Sequence, residues 1–196
     1  MKYKICFTTF ISIFVVGCGG GSSSTTGGIS SGNPYPAPSI TDALKQEYLT
    51  AINDARAIEQ NCHTEGIKVA VPALTWNNKL YNAAYEHSND LAESDTASHE
   101  GSGTASDWTG MDLGGKASTY IERIANNEYA WSSAGENITM GTSRDTAQKA
   151  VDSWLASDKH CANLMSTNYT EVGMAHVSKV GTVYTHYWTQ NFGKPR

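Results

Sequence analysis

The chain has 196 residues and a formal net charge of −5, and 39% of its residues are hydrophobic. This length supplies one hydrophobic core, and neither an internal repeat nor a second linker indicates a second folded domain. The acidic balance, without clusters of basic residues, argues against binding to nucleic acid and against electrostatic binding to anionic lipid.

Residues 1–17 have the features of a bacterial export signal. Lys2 and Lys4 precede an apolar run from Ile5 to Val16, which is shorter than the ~20 residues that a membrane-spanning helix needs. The letters VVG stand directly before Cys18 and resemble a lipobox, in which the cysteine is acylated and begins the mature chain. The resemblance implies a lipoprotein of the outer membrane of a two-membrane bacterium, because glycine rather than aspartate follows the cysteine. The alternative is a short apolar stretch that ends in a chance cysteine.

Residues 18–38 are predicted to form a tether between the lipid anchor and the folded part. The stretch GGGSSSTTGGISSGNPYPAPS cannot bury enough apolar surface to fold, and about twenty such residues reach roughly 25 Å. The bacterial membrane is therefore an expected partner, through acyl chains on Cys18. Cleavage of the signal removes Lys2 and Lys4, so 12 of the 14 basic residues remain beside 19 acidic residues. The mature chain therefore has a net charge of −7. The globular domain is predicted over 39–196.

The four cysteines have different expected roles. Cys6 leaves with the signal, Cys18 carries lipid, and Cys62 and Cys161 remain. An exported chain most economically pairs its two remaining cysteines, and closing a loop of about a hundred residues contributes on the order of 4–5 kcal/mol in the chain-entropy model. The alternative is a Cys161 nucleophile activated by His160. Neighbours on a helix point about 100° apart, so His160 would be a poorly placed base.

Helical spacing predicts two long helices in the first half of the domain. The first, within 39–60, begins at a capping pattern from Ser39 to Asp42, and its apolar face carries Leu44, Tyr48, Ile52 and Ala55. The second, within 74–94, has an apolar face formed by Trp76, Leu80, Ala83, His87 and Leu91. The position of His87 on this face favours a buried, hydrogen-bonded histidine over a metal ligand.

A polar, glycine-rich segment over 98–116 predicts a long loop, and a short helix follows around 121–124. A second capping pattern, from Thr142 to Asp145, predicts a helix over 142–157, whose apolar face holds Ala147, Ala150, Val151 and Trp154. Another short helix is expected over 157–165.

Two runs of strand-forming residues end the chain. They cover 171–178 and 182–193, and a tight connection containing Gly181 separates them. Helices followed by an antiparallel hairpin predict an α+β fold in which the helices pack on the sheet.

Six short motifs, in order, resemble the CAP superfamily (SCP domain). This family includes cysteine-rich secretory proteins, venom allergens, plant pathogenesis-related proteins and many bacterial envelope proteins. The motifs are INDAR (52–56), LTWNNKL (74–80), SHEGSG (98–103), GENI (135–138), SDKHCANLM (157–165) and YWTQNFG (187–193). Each is weak alone, but together they cover nearly all of 40–196. The resemblance implies an α–β–α sandwich with a surface cleft, in a bacterial lipoprotein branch.

In many members of this family, the cleft holds two histidines and two glutamates that can bind a divalent cation. By the resemblance, the histidines fall on His99 and His160, and the first glutamate falls on Glu136. The second glutamate falls on Ser157, so Asp158 can substitute for it only if the helix start turns this carboxylate inward. The resemblance also implies that the disulfide holds the short helix to the end of the first long helix.

Two imidazoles and a carboxylate are suitable ligands for zinc or a similar ion. A catalytic zinc usually has three firm protein ligands and an open position. Glu136 would be the third ligand, unless it orients an imidazole instead. A polar, hydrogen-bonded cluster that fixes the cleft loops is the alternative to a metal site.

Two hypotheses for the function follow. One is a membrane-tethered binding module with a weakly bound zinc, magnesium or calcium ion, which takes a lipid, a sterol-like ligand or an envelope component. Aromatic side chains suited to such a surface are Tyr120, Tyr129, Trp131 and Tyr187. The alternative is that they belong to the core, as aromatic residues at these spacings more often do. The other is a metal-dependent, protease-like hydrolase with His99, Glu136 and His160 as candidate catalytic residues. Ser98 and Ser157 flank the histidines, but nothing like a nucleophile elbow surrounds either serine.

Overall fold

A four-stranded sheet lies between two layers of helices in the computed structural model, which describes residues 36–196. The helices are α1 (Asp42–Arg56), α2 (Asn78–Ser94), α3 (Trp108–Asp112), α4 (Tyr120–Asn126), α5 (Ala147–Leu155) and α6 (Asp158–Leu164). The strands are β1 (Gln60–Asn61), β2 (Ile67–Lys68), β3 (Thr75–Trp76), β4 (Trp131–Met140), β5 (Glu171–Ser178) and β6 (His186–Pro195). The export signal, the lipidated Cys18 and nearly all of the tether lie outside the described residues.

The sheet has the strand order β3-β5-β6-β4, and β1 and β2 form a separate antiparallel pair. Strand β6 runs antiparallel to both β4 and β5, whereas β3 is parallel to β5. The predicted hairpin is confirmed as β5 and β6, although β6 begins at His186 and not at 182. Gly181 has φ +90° in the connection, a conformation that glycine adopts without strain. Within 36–196, no helix is both long and apolar enough to span a bilayer.

Strand β4 is absent from the sequence-based prediction. It pairs with β6 along most of its length, and its residues 135–139 are all buried. Helices cover both of its faces, so the sequence WSSAGENITM shows no alternation of apolar and polar residues. The buried polar side chains bond one another, as Asn137 does with Gln190 at 3.2 Å. Periodicity therefore could not identify this strand.

Both predicted capping patterns are displaced from the observed helix starts. Thr41, not Ser39, caps α1 by accepting a hydrogen bond from the Leu44 amide at 3.2 Å. Thr146, not Thr142, caps α5. Each stretch contains several residues able to cap, and only the last extended residue before the helix does so. Leu44 consequently lies in an exposed first turn, and the predicted long loop contains the short helix α3.

The two helical layers pack on opposite faces of the sheet. Helices α1, α5 and α6 share a core with the sheet, built around Ile52, Trp154, Leu164, Trp188 and Phe192. On the other face, α2 and α4 bury Leu80, Ala83 and Ile124. Helix α2 packs so closely on β5 that a Cβ atom at Gly173 would collide with the Tyr81 amide nitrogen. The sheet thus forms the middle of an α–β–α sandwich.

A disulfide and a buried arginine fix α6 to the last residue of α1 and to the turn beyond it. Cys62 and Cys161 are bonded, with Cα atoms 5.3 Å apart, which confirms the expected pairing and leaves no free thiol at Cys161. Cys62 lies in the turn after β1, somewhat beyond the end of α1. The Arg56 guanidinium donates to the carbonyl oxygens of Leu164 at 2.5 Å and Ser166 at 3.1 Å. Helix α6, which carries His160, is therefore anchored at two points.

Candidate functional site

A polar cleft of about 520 Å³ brings together the three predicted site residues. His99 comes from the segment after α2, Glu136 from β4 and His160 from α6. The centroids of the two imidazole rings are 6.1 Å apart. Asn137, Asn163 and Tyr169 are among the other lining residues. Edge strand β4 forms the floor on which residues from both helical layers meet.

The Glu136 carboxylate is buried and its oxygens are engaged. His99 Nδ1 donates to Oε1 at 2.9 Å, and Arg123 Nη2 donates to Oε2 at 3.0 Å. Asn191, in the amide orientation that satisfies both of its neighbours, donates to Oε2 at 3.2 Å and accepts from the Ala84 amide. An ionised carboxylate only accepts hydrogen bonds, so Nδ1 of His99 carries a proton and its Nε2 is left for a ligand.

Electrostatics keep Glu136 ionised. Burial by itself raises the pKa of this carboxyl, but the Arg123 guanidinium and the neighbouring histidines outweigh burial and hold the pKa at about 2. A base with such a low pKa has little tendency to take a proton from water near neutral pH. Glu136 therefore orients His99 and balances the charge of Arg123.

His87 is a buried structural residue, as its place on the apolar face of α2 predicts. Its side chain is fully buried, and Nε2 lies 2.9 Å from the Ser98 carbonyl oxygen and 3.8 Å from Glu136 Oε1. Burial lowers the pKa of His87 to about 4, against the opposing effect of the Glu136 charge. The neutral ring donates to Ser98 and holds the segment that carries His99.

Buried carboxylates order the long segment between α2 and α4. Asp90 accepts hydrogen bonds from the Ser102 amide at 2.7 Å and the Ser102 hydroxyl at 2.6 Å, while Glu86 accepts from the Thr109 amide at 2.6 Å. Asp107 accepts from three backbone amides, those of Gly103, Gly110 and Ser118. Hydrogen bonds to these carboxylates, and not apolar packing, hold this segment against α2. The sequence-based prediction missed them, although Glu86 and Asp90 are four residues apart on α2, the helix that carries His87.

The start of α6 does not supply a second acidic ligand. Asp158 accepts a hydrogen bond from the Thr64 hydroxyl in the turn after β1 and does not line the cleft. Ser157 is the N-cap residue of α6. The condition under which Asp158 could replace the second glutamate is therefore not met.

Two imidazoles remain as candidate metal ligands. Residues 36–196 contain no group of three or more histidine, cysteine, aspartate or glutamate side chains that could hold a metal ion. His99 fits a carboxylate–histidine–metal arrangement, because Glu136 bonds one nitrogen and leaves the other for coordination. Glu136 itself fits poorly as a ligand, because Arg123, His99 and Asn191 already bond its oxygens. The donor set fits a weakly held cation with His99 and His160 as protein ligands.

The four aromatic residues proposed to line a ligand surface belong to the core instead. Tyr129 and Tyr187 are buried, and Tyr120 and Trp131 pack against the cluster between α2 and α4. None of the four lines the cleft. Of the two readings of these residues, the structure therefore supports packing in the core.

A family comparison agrees with this arrangement of fold and cleft. The model of the CAP domain, described as the cysteine-rich secretory protein family, matches residues 49–192. The chain belongs to the CAP family. The matched span contains both cleft histidines, Glu136 and the disulfide, so the residues carried over by resemblance lie inside the family domain.

Two proteins with similar sequences come from Bacillus subtilis (strain 168). The uncharacterized membrane protein YlbC is 27% identical over 128 residues, which cover 65% of this chain and 31% of YlbC. The uncharacterized protein YkwD is 33% identical over 63 residues, which cover 32% of this chain and 22% of YkwD. This chain thus matches less than a third of either relative's length.

Solved structures of two further proteins share the fold. An outer surface protein from Borrelia burgdorferi has a TM-score of 0.56 at 18% identity, and the match covers 83% of this chain and 100% of that protein. An extracellular protein containing an SCP domain from Bacillus anthracis has a TM-score of 0.52 at 24% identity, and the match covers 81% of this chain and 45% of that protein. At these identities, both matches show the fold of the chain and nothing further.

Proposed function

We propose that this CAP protein is a membrane-tethered, extracytoplasmic binding module whose cleft takes a polar envelope component and weakly holds a divalent cation. The engaged Glu136 carboxylate supports this proposal most directly. It is bonded to Arg123 and His99, so it neither accepts a proton readily nor has a free oxygen for a metal. The chemistry left to the cleft is recognition by two imidazoles and the surrounding amides.

The polar lining favours a hydrophilic ligand over a sterol. Asn163 donates to the Glu136 carbonyl oxygen at 3.2 Å and accepts from the Tyr169 hydroxyl at 2.9 Å, so the wall is held in place by polar contacts. Lys159 and Asn168 are exposed at the rim. Amide, hydroxyl and ammonium groups in the wall and at the rim can bind an oxygen-rich ligand by hydrogen bonds.

A cation bound by the histidines would supply a positive charge and Lewis acidity toward an oxygen ligand. His99 is preorganised for this role by its hydrogen bond to Glu136. His160 contributes its ring from α6, which the disulfide holds. With two protein ligands, water or the bound ligand must complete the coordination shell, so we expect weak affinity.

We predict that His99 and His160 bind zinc weakly and less tightly as the pH falls through 6. Protons compete with the metal for imidazole near its ordinary pKa of ~6.5. Burial and the nearby His99 lower the pKa of His160, so this ring stays neutral, and able to bind metal, to a lower pH than an exposed histidine does. The titration uses untagged protein that carries His186→Asn, which removes a separate pair of facing histidines, His176 and His186, outside the cleft. Calorimetry should show a loss of at least tenfold when His99→Ala and His160→Ala are added. His63→Ala, at an exposed histidine outside the cleft, is the matched control. Equal affinity in the double variant and the control would rule out this site.

The same preparation separates binding from hydrolysis. We expect no turnover of peptide, ester or peptidoglycan substrates in the presence of zinc, magnesium or calcium. Turnover that disappears in a Glu136→Gln variant, with zinc affinity retained, would instead establish the metal-dependent hydrolase.

The membrane tether is tested at the N-terminus. We predict that the mature chain begins at an acylated Cys18, because a short apolar run after two lysines ends at this residue. Mass spectrometry of the mature N-terminal peptide should show the added acyl mass. An unmodified peptide that starts elsewhere would contradict the prediction.

A further inference from the structure

A second pair of histidines lies outside the cleft. His176, in β5, and His186, at the start of β6, do not line the cavity that contains His99 and His160. The distance from His176 Nε2 to His186 Nδ1 is 3.0 Å, and the ring centroids are 5.1 Å apart. Both side chains are half-buried and thus in contact with solvent.

The pairing of β5 with β6 fixes this separation. His186 is opposite Ser178 and His176 is opposite Trp188, so the two histidines are diagonal neighbours on one face of the sheet. Two imidazole nitrogens bound to one metal at ~2.0–2.1 Å lie roughly 3 Å apart. The facing nitrogens are thus already at a chelating distance, and binding requires no movement of the strands.

Neighbouring groups hold the rings and provide negative charge. His176 stacks on the buried Trp188 indole with centroids 4.1 Å apart, and Trp188 Nε1 donates to the Arg144 carbonyl oxygen at 2.6 Å. The Asp145 carboxylate lies close enough to act electrostatically on both imidazoles. Asp145 also forms an ion pair with Lys149 at 2.7 Å, but both side chains are about half exposed, so this ion pair is weak.

We propose that His176 and His186 chelate a divalent late-transition-metal ion, Cu²⁺ most tightly, with Asp145 as a nearby counter-charge. Imidazole nitrogens suit Cu²⁺, Ni²⁺ and Zn²⁺, and affinity at a given site rises to a maximum at Cu²⁺ in this series. In the metal-free protein, one facing nitrogen carries the proton of the N–H···N hydrogen bond. Coordination moves this proton to the outer nitrogen of the same ring. Water completes the shell, because the protein supplies two ligands.

Copper titration of full-length, untagged protein carrying His99→Ala and His160→Ala tests the pair without the cleft. We expect one Cu²⁺ per chain by calorimetry and two nitrogen ligands by electron paramagnetic resonance. Affinity should fall at least tenfold with either His176→Asn or His186→Asn, and no further with both, because chelation needs both rings. His63→Asn at an exposed histidine should leave affinity unchanged. Bound copper should also quench Trp188 fluorescence, so that Trp188→Phe reduces the quenching while calorimetric binding persists.

Two results would overturn the proposal. The first is equal copper affinity in the His63→Asn and His186→Asn variants. The second is loss of all copper binding when only the cleft histidines are removed. His186→Asn is the decisive variant, because it leaves the stacking of His176 on Trp188 intact. Circular dichroism checks that this variant is folded.

Discussion

Replacing Arg123 by methionine is expected to lower the free energy of unfolding by about 3–5 kcal/mol at pH 7, because it leaves the buried Glu136 charge unpaired. The side chains of both residues are 1% exposed, and Nη2 of Arg123 is 3.0 Å from Oε2 of Glu136. Methionine retains much of the packing volume, so the loss measures mainly the charge and its hydrogen bonds. Urea unfolding measures this free energy.

The pH dependence distinguishes this mechanism from simple loss of packing. In the native protein, Glu136 has a pKa of about 2, below its ordinary value of 4.5. Its contribution to stability is therefore present above pH 4.5 and is lost as the pH falls from 4.5 through 2. Without Arg123, burial raises the pKa of Glu136, so the sign reverses and acid relieves the buried charge. The stability difference between the two proteins should therefore shrink as the pH falls from about 7 to about 3.5.

Arg56→Met is the matched control for this measurement. Arg56 is equally buried, but its guanidinium donates to backbone carbonyl oxygens, including those of Pro72 and Leu164. Its loss should destabilise the protein by an amount that does not change with pH, because its partners do not titrate. A pH-independent loss in Arg123→Met as well would contradict the charge mechanism.

Removal of the disulfide should cost about 4 kcal/mol of stability. Its two cysteines are 99 residues apart, and the chain-entropy model gives roughly 4–5 kcal/mol for a loop of this size, while removal of native disulfides typically costs about 2–5 kcal/mol. A Cys62→Ala, Cys161→Ala double variant should therefore unfold at lower denaturant concentration. The change from cysteine to alanine is small, so we expect a minor packing contribution.

Reduction of the native protein provides the control for this variant. Dithiothreitol should lower the unfolding midpoint of the native protein to that of the double variant and leave the variant unchanged. Zinc affinity should fall in the double variant, because Cys161 follows His160 directly and α6 loses one of its two anchors. A stability loss below about 1 kcal/mol would show that the Arg56 contacts alone hold this helix.

The sequence predicted the elements whose apolar residues follow a clear period. Helices α2 and α5 have one covered face, so their burial repeats with the geometry of the helix. The β5–β6 hairpin is buried on both faces, and its strands were found from their strand-forming residues on either side of Gly181. Strand β4 is covered on both faces by polar contacts and small residues, so it has no such repeat. Helix starts were displaced because several capping residues stand close together, and tertiary contacts select among them.

The cleft residues and their supports differ in how they could be found. His99, Glu136 and His160 followed from motif resemblance, and β4 brings them together. Arg123 and Asp107 could not be found in this way, because a charged residue in a polar stretch reads as solvent-facing. Only the folded chain shows that these charges meet one another away from water, where pairing and hydrogen bonding make burial tolerable. The lipid anchor and tether stay predictions from the sequence.

The carboxylate-bonded segment between α2 and α4 has a consequence for the thermodynamics of recognition. A loop that becomes ordered on binding loses conformational entropy at that moment, and affinity falls accordingly. Here Glu86, Asp90 and Asp107 already hold the backbone that carries His99, so this entropy is lost during folding instead. We therefore expect the segment that carries His99 to be rigid and to adapt little to ligands of different shape, so that the cleft selects ligands that already fit it.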